Sequence, residues 1–77
     1  MEKDLVVYIA KSLVDDPDGV DVNIVEGEKS TILELKVSQE DIGKVIGKHG
    51  RIAKAMRTIL SASATKSGKR IVLEILD

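Results

Sequence analysis

The stretch Val45-Ile46-Gly47-Lys48-His49-Gly50-Arg51-Ile52 decides how this chain is read. A Gly-x-x-Gly turn joins two apolar patterns of helical spacing, and its inner positions carry a lysine and a histidine. Glycine has no Cβ, so such a turn can adopt φ > 0 and let a ligand backbone come close. The segment after Gly50 is predicted to start a helix, whose first N–H groups lack internal partners and attract anions. Lys48, His49 and Arg51 add charge and donors at the same place. The combination suits a nucleic-acid phosphate backbone. Taken alone, the glycines favour a plain helix–turn–helix connection; Lys48, His49, Arg51 and the flanking isoleucines shift the reading to a binding loop.

Working outward, Ser38 and Asp41 resemble a helix-starting cap, with Gln39 and Glu40 in the first turn. A short helix is predicted to run to about Ile46, with Ile42, Val45 and Ile46 inward. A longer one should run from about Arg51 to Ala64, with Gly68 in the loop beyond. Ile71, Leu73 and Ile75 alternate as a last strand. Upstream, Val20, Val22 and Ile24 alternate with Asp21 and Asn23, and Leu33, Leu35 and Val37 with Glu34 and Lys36. These read as two strands joined by a hairpin loop at 27–30. Leu5, Val6, Ile9, Ala10, Leu13 and Val14 recur at helical spacing, so residues 2–15 read as an amphipathic helix, ended by Asp16-Pro17-Asp18-Gly19. Asp15 and Asp16 stand at the negative end of that helix, where acids are unfavourable. Nothing in the local sequence explains them.

The order α-β-β-α-α-β, together with the run Ile42-Gly43-Lys44-Val45-Ile46-Gly47-Lys48-His49-Gly50-Arg51-Ile52, resembles a KH domain. The whole chain, 1–77, resembles the KhpA (YlqC-like) family of small bacterial KH-domain RNA-binding proteins. The resemblance implies an α+β fold of type II-like KH form, a three-stranded sheet with three helices on one face. It implies binding of single-stranded RNA over the glycine loop, beside a groove lined by aliphatic residues. Lys48 and His49 would then face the sugar-phosphate path. Ile46 and Ile52, with Val45, are expected to divide between core and groove, and strand residues 31–37 to form the opposite wall. The resemblance further implies self-association or pairing with a larger KhpB (Jag)-like KH protein. A role as RNA chaperone or regulator of transcripts, and a link to cell shape and division, follow from it too.

Seventy-seven residues make one small domain, with an expected stability of about 3–5 kcal/mol. There is no cysteine, which fits a cytoplasmic setting. The N-terminus lacks the basic start of a signal peptide, and Leu5–Ala10 is too short to span a membrane. Net charge is −1, but its distribution is uneven. Residues 1–41 carry eleven acids and four Lys or Arg, whereas residues 42–77 carry two acids and eight Lys or Arg. No acid occurs between Ile42 and Leu73. The basic half therefore contains the glycine turn, and local potential decides where a polyanion docks. Lys44 and Lys54, the latter one turn past the loop, extend this surface. Arg57 reads as a solvated charge or a peripheral phosphate contact, and Lys66, Lys69 and Arg70 widen the field.

The last helix is apolar over about half its circumference, more than one sheet needs. Met56, Ile59, Leu60 and Ala62 are candidates for an interface with a second copy or a homologue. Burial under the first helix is the alternative. Val25, Ile32, Val72 and Leu76 fall on the opposite sheet face.

The single aromatic, Tyr8, argues against modules that stack bases on exposed rings. Gly43-Lys44-Val45-Ile46-Gly47-Lys48 lacks the Gly-Lys-Ser/Thr end of a phosphate-binding P-loop. His49 has no cysteine or clustered acids beside it, so no metal site is expected, nor any cofactor. No nucleophile–base pair points to an enzyme. Single-stranded RNA binding, or protein pairing on the same fold, remain.

Overall fold

The computed structural model describes residues 2–76. Helix α1 spans Glu2–Leu13, strands β1 and β2 span Asp21–Glu26 and Ser30–Lys36, α2 spans Ile42–Ile46, α3 spans Arg51–Ser67, and β3 spans Arg70–Leu76. Short 3-10 turns occupy Pro17–Gly19 and Gln39–Asp41. The order is the expected one, and the fold is α+β.

The strands lie in the order β1-β2-β3. The hairpin pairs β1 with β2 antiparallel, with Val22 opposite Leu35 and Val25 opposite Ile32. β3 joins β2 in parallel, with Leu33 beside Leu73. A parallel neighbour requires a crossover, and α2 and α3 supply it. β1 and β3 are thus both edge strands.

One face of the sheet buries Val22, Leu33, Leu35 and Leu73. Val6, Ala10 and Val14 descend one stripe of the first helical segment onto them, while Val45 comes from α2 and Met56 and Leu60 from α3. The spacing of each set is the reason: period two on strands, three to four on helices. The leftover inward position, Ile24, is 41% exposed because it lies on an edge strand.

Helix α1 closes earlier than residue 15, although Val14 still donates its amide to the Ala10 carbonyl at 3.1 Å. Pro17 then draws Asp16 out of the helical region. Helix α3 runs past Ala64 because Thr65, Lys66 and Ser67 contain no breaker before Gly68.

The expected Ser38/Asp41 side-chain cap does not form. Ser38 Oγ instead donates to Asp16 Oδ2 at 2.6 Å. The buried Asp41 carboxylate accepts the amides of Asp15 at 3.2 Å and Asp16 at 3.1 Å. This explains the two acids after α1: they belong to a polar knot that fastens the end of α1 to the start of α2.

Candidate nucleic-acid interface

The glycine turn has the backbone its sequence calls for. Gly47 has φ 74° and ψ 176°, and Gly50 has φ 74° and ψ 16°. His49 between them is also left-handed, at φ 56° and ψ 29°. Histidine tolerates this region better than most side chains. The turn closes through the Gly50 amide, which donates to the Gly47 carbonyl at 3.2 Å.

Gly50 is also the N-terminal cap of α3. It provides no side chain to the first amides of that helix, and no acid lies in its first turn. The leading N–H groups of a seventeen-residue helix are therefore open to an outside acceptor at the positive end of its dipole. His49, Arg51 and Lys54 are exposed around this point. The Lys48 side chain, like those of Lys66 and Ser67, lies outside the described residues.

The aliphatic neighbours divide. Val45 is fully buried, Ile46 is 37% exposed, and Ile52 is half-buried against the core beneath Gly47. Ile46 therefore turns outward rather than inward, and presents an apolar surface next to the turn.

Lys44 differs from the expectation of a free cation. Its ammonium is bonded to Asp15 and lies 3.6 Å from the buried Asp41 carboxylate. The Asp15 bond, opposed by partial burial and reinforced by both carboxylates, holds Lys44 more firmly protonated than usual. Burial pushes Asp41 up, but the Asp15 and Asp16 amides and Lys44 outweigh it and hold Asp41 below its usual range. Lys44 thus neutralises the knot at the end of α1, because side chains on α2 lean back toward its start.

Strand β2, expected to form the opposite wall of the groove beside the turn, is the central strand, with Leu33 and Leu35 buried. The strand facing α3 is the edge strand β3. An open groove of about 630 Å³ lies between them, lined among others by Arg57, Ser61, Thr65, Arg70 and Ile71. Arg57 is no mere solvated charge, since its Nη2 donates to the Leu73 carbonyl at 3.3 Å on the free edge. Lys69 donates to Glu26 at 2.7 Å.

On α3, Met56 and Leu60 are only 2% and 1% exposed, so core packing removes both from the interface candidates. Ile59, 47% exposed, and Ala62 remain at the surface, with Ala55 one turn before Ile59. Among the described residues no cluster of His, Cys, Asp or Glu could hold a metal ion, and no helix is long and apolar enough to cross a membrane.

Residues 3–75 match the family model described as KhpA/KhpB, KH domain. The RNA-binding protein KhpA of Borreliella burgdorferi is 60% identical over 76 residues, covering 99% of this chain and 93% of that protein. The protein of the same name from Clostridium perfringens is 65% identical over 74 residues, 96% of this chain and 99% of that one. That of Treponema pallidum is 58% identical over 77 residues, 100% and 96% of the two chains. No solved structure matches the chain significantly.

Proposed function

The chain belongs to the KhpA/KhpB family of KH domains, and from that premise we propose that it binds single-stranded RNA by clamping the sugar-phosphate backbone over Gly47–Gly50. The observation that carries this reading is the uncapped start of α3 behind two left-handed residues. The turn lets a phosphate approach the open amides, and Lys48, His49 and Arg51 add donors around it. Ile46 and Ile52 supply the aliphatic side of the groove, and Lys54 a phosphate contact one turn on. One such domain binds weakly and with little base preference, as suits a chaperone or regulator of transcripts in the cytoplasm.

The test is binding of a mixed-sequence single-stranded RNA across a salt series, to wild type and to the double variant Lys48→Asp, His49→Asp. Aspartate tolerates the left-handed region, so the turn should survive, and a thermal melt checks the fold. Two or three phosphate contacts predict a log–log slope of about −1.5 to −2, at roughly −0.7 each. Equal binding by both proteins would reject the clamp.

A second reading is a module that pairs with a larger KhpB (Jag)-like KH protein or with itself, RNA binding being secondary. The exposed Ala55, Ile59 and Ala62 on α3 favour it. Pairing through apolar surface depends far less on salt, so the same series separates the two.

A further inference from the structure

One stripe of α3 leads from the glycine turn into the groove beside β3. Gly50, Lys54, Arg57 and Ser61 are spaced four, three and four residues apart, so they lie along a single line on the helix. Arg57 stands about 10 Å along that line from Gly50. Lys54 and Arg57 are exposed. Ala64 and Gly68 continue the line, and their small size keeps the far end of the groove open. Among the described residues no acid lines the groove, whereas Arg57, Lys69 and Arg70 do. Lys69 is bonded to Glu26, and the two arginines supply the rest of the charge.

Arg57 differs from Lys44, whose charge two carboxylates neutralise. Its Nη2 donates to the Leu73 carbonyl at 3.3 Å. That carbonyl is within reach because β3 is an edge strand. The Arg70 amide points toward β2, donating to the Lys29 carbonyl at 3.0 Å. Backbone groups alternate sides along a strand, so those of Ile71 and Leu73 face away from β2. A carbonyl is neutral and fixes the guanidinium without cancelling its charge. Nη2 carries two N–H groups. Whichever of them the carbonyl takes, one two-donor edge of the planar group stays whole. Arg57 is thus held in place with a donor fork open to the groove.

We infer that Arg57 selects the base beside the clamp, favouring guanine or cytosine over adenine and uracil. That selection rests on the clamp at Gly47–Gly50, which holds the sugar-phosphate backbone and is blind to the base. Two parallel N–H groups need two neighbouring acceptors. Guanine offers them at O6 and N7, and cytosine at N3 and O2. On adenine and uracil, neighbouring groups along the pairing edge alternate donor and acceptor, so one arm of the fork meets another donor. Selection at one of about four clamped nucleotides leaves the overall base preference small.

The test compares short RNA oligomers of repeated UUG, UUC, UUA and UUU at one fixed low salt. A bidentate contact discriminates about fivefold or more. With the varied base at every third position, UUG or UUC should bind at least about twofold more tightly than UUA and UUU. Which of the two leads tells which acceptor edge the fork takes. Arg57→Ala suits a helix and removes the fork, while Lys54→Gln removes one charge and leaves the fork. Both should weaken binding, but only Arg57→Ala should make the four oligomers equal. A structural role for Arg57 would lower all four and preserve their ratios. Salt-dependent binding of all four with equal affinity by wild type, a preference for UUA, or ratios that survive Arg57→Ala would overturn the selection and leave the clamp standing. Binding of none would overturn both.

Discussion

Gly47 rests directly on the side chain of Ile52. A Cβ at position 47 would stand 2.6 Å from Ile52 Cγ1 and 2.8 Å from Cδ1, closer than carbon atoms pack. The backbone of Gly47 also occupies a region essentially closed to other residues. Gly50, at the other end of the turn, shares the positive φ but faces open space. One glycine is required by contact and conformation together, the other by conformation alone.

Gly47→Ala and Gly50→Ala should therefore differ in thermal melts. The backbone strain at Gly50 costs about 1–2 kcal/mol. At Gly47 it costs about 1–3 kcal/mol, and Ile52 must also move out of the core. Against a total of about 3–5 kcal/mol, Gly47→Ala should melt well below Gly50→Ala. Equal melting temperatures would mean that Ile52 swings aside freely.

Asp41 predicts an acid dependence. Its pKa is depressed in the folded state, below the ordinary 3.8, so its contribution is complete above that value and is lost as pH falls through the folded value. Asp41→Asn should melt lower than wild type near neutrality, because one amide oxygen replaces a carboxylate that accepts two backbone N–H groups. Between about pH 5 and pH 2.5 it should lose less stability than wild type. The drop that survives belongs in part to Glu26, which the Lys69 bond and charge also hold low. Identical acid curves would show that Asp41 is not the group being protonated.

Arg51 and Lys44 should separate in RNA titrations. Arg51 is exposed at the first position of α3, so Arg51→Gln should reduce the salt slope by about 0.7, one single-strand phosphate contact. Lys44 already neutralises Asp15 and Asp41. Lys44→Gln should lower the melting temperature and leave the slope near that of wild type. A slope change at Lys44 as large as at Arg51 would mean that RNA pulls Lys44 away from the knot.

The glycine turn is legible in the sequence because its chemistry is local: residues 45–52 contain the conformation, the charge and the helix start. Ser38 and Asp41 misled for the same reason. Their spacing matches a cap, but their partners are Asp15 and Asp16, more than twenty residues away. Arg57 looked solvated until Leu73, sixteen residues on, came alongside it. Met56 and Leu60 could not be told from Ile59 on the broad apolar arc of α3, since helical spacing gives a width and not a direction.

By itself the sequence determined the elements, their order and the left-handed turn, because backbone sterics, glycine and hydrophobic periodicity act over a few residues. Only the tertiary structure decided which strand lies at an edge, which side of α3 is sealed and which lysine is already neutralised. Those outcomes depend on contacts between distant segments. Burial and charge pairing are properties of what a side chain meets after folding, and the identity of the residue leaves that open.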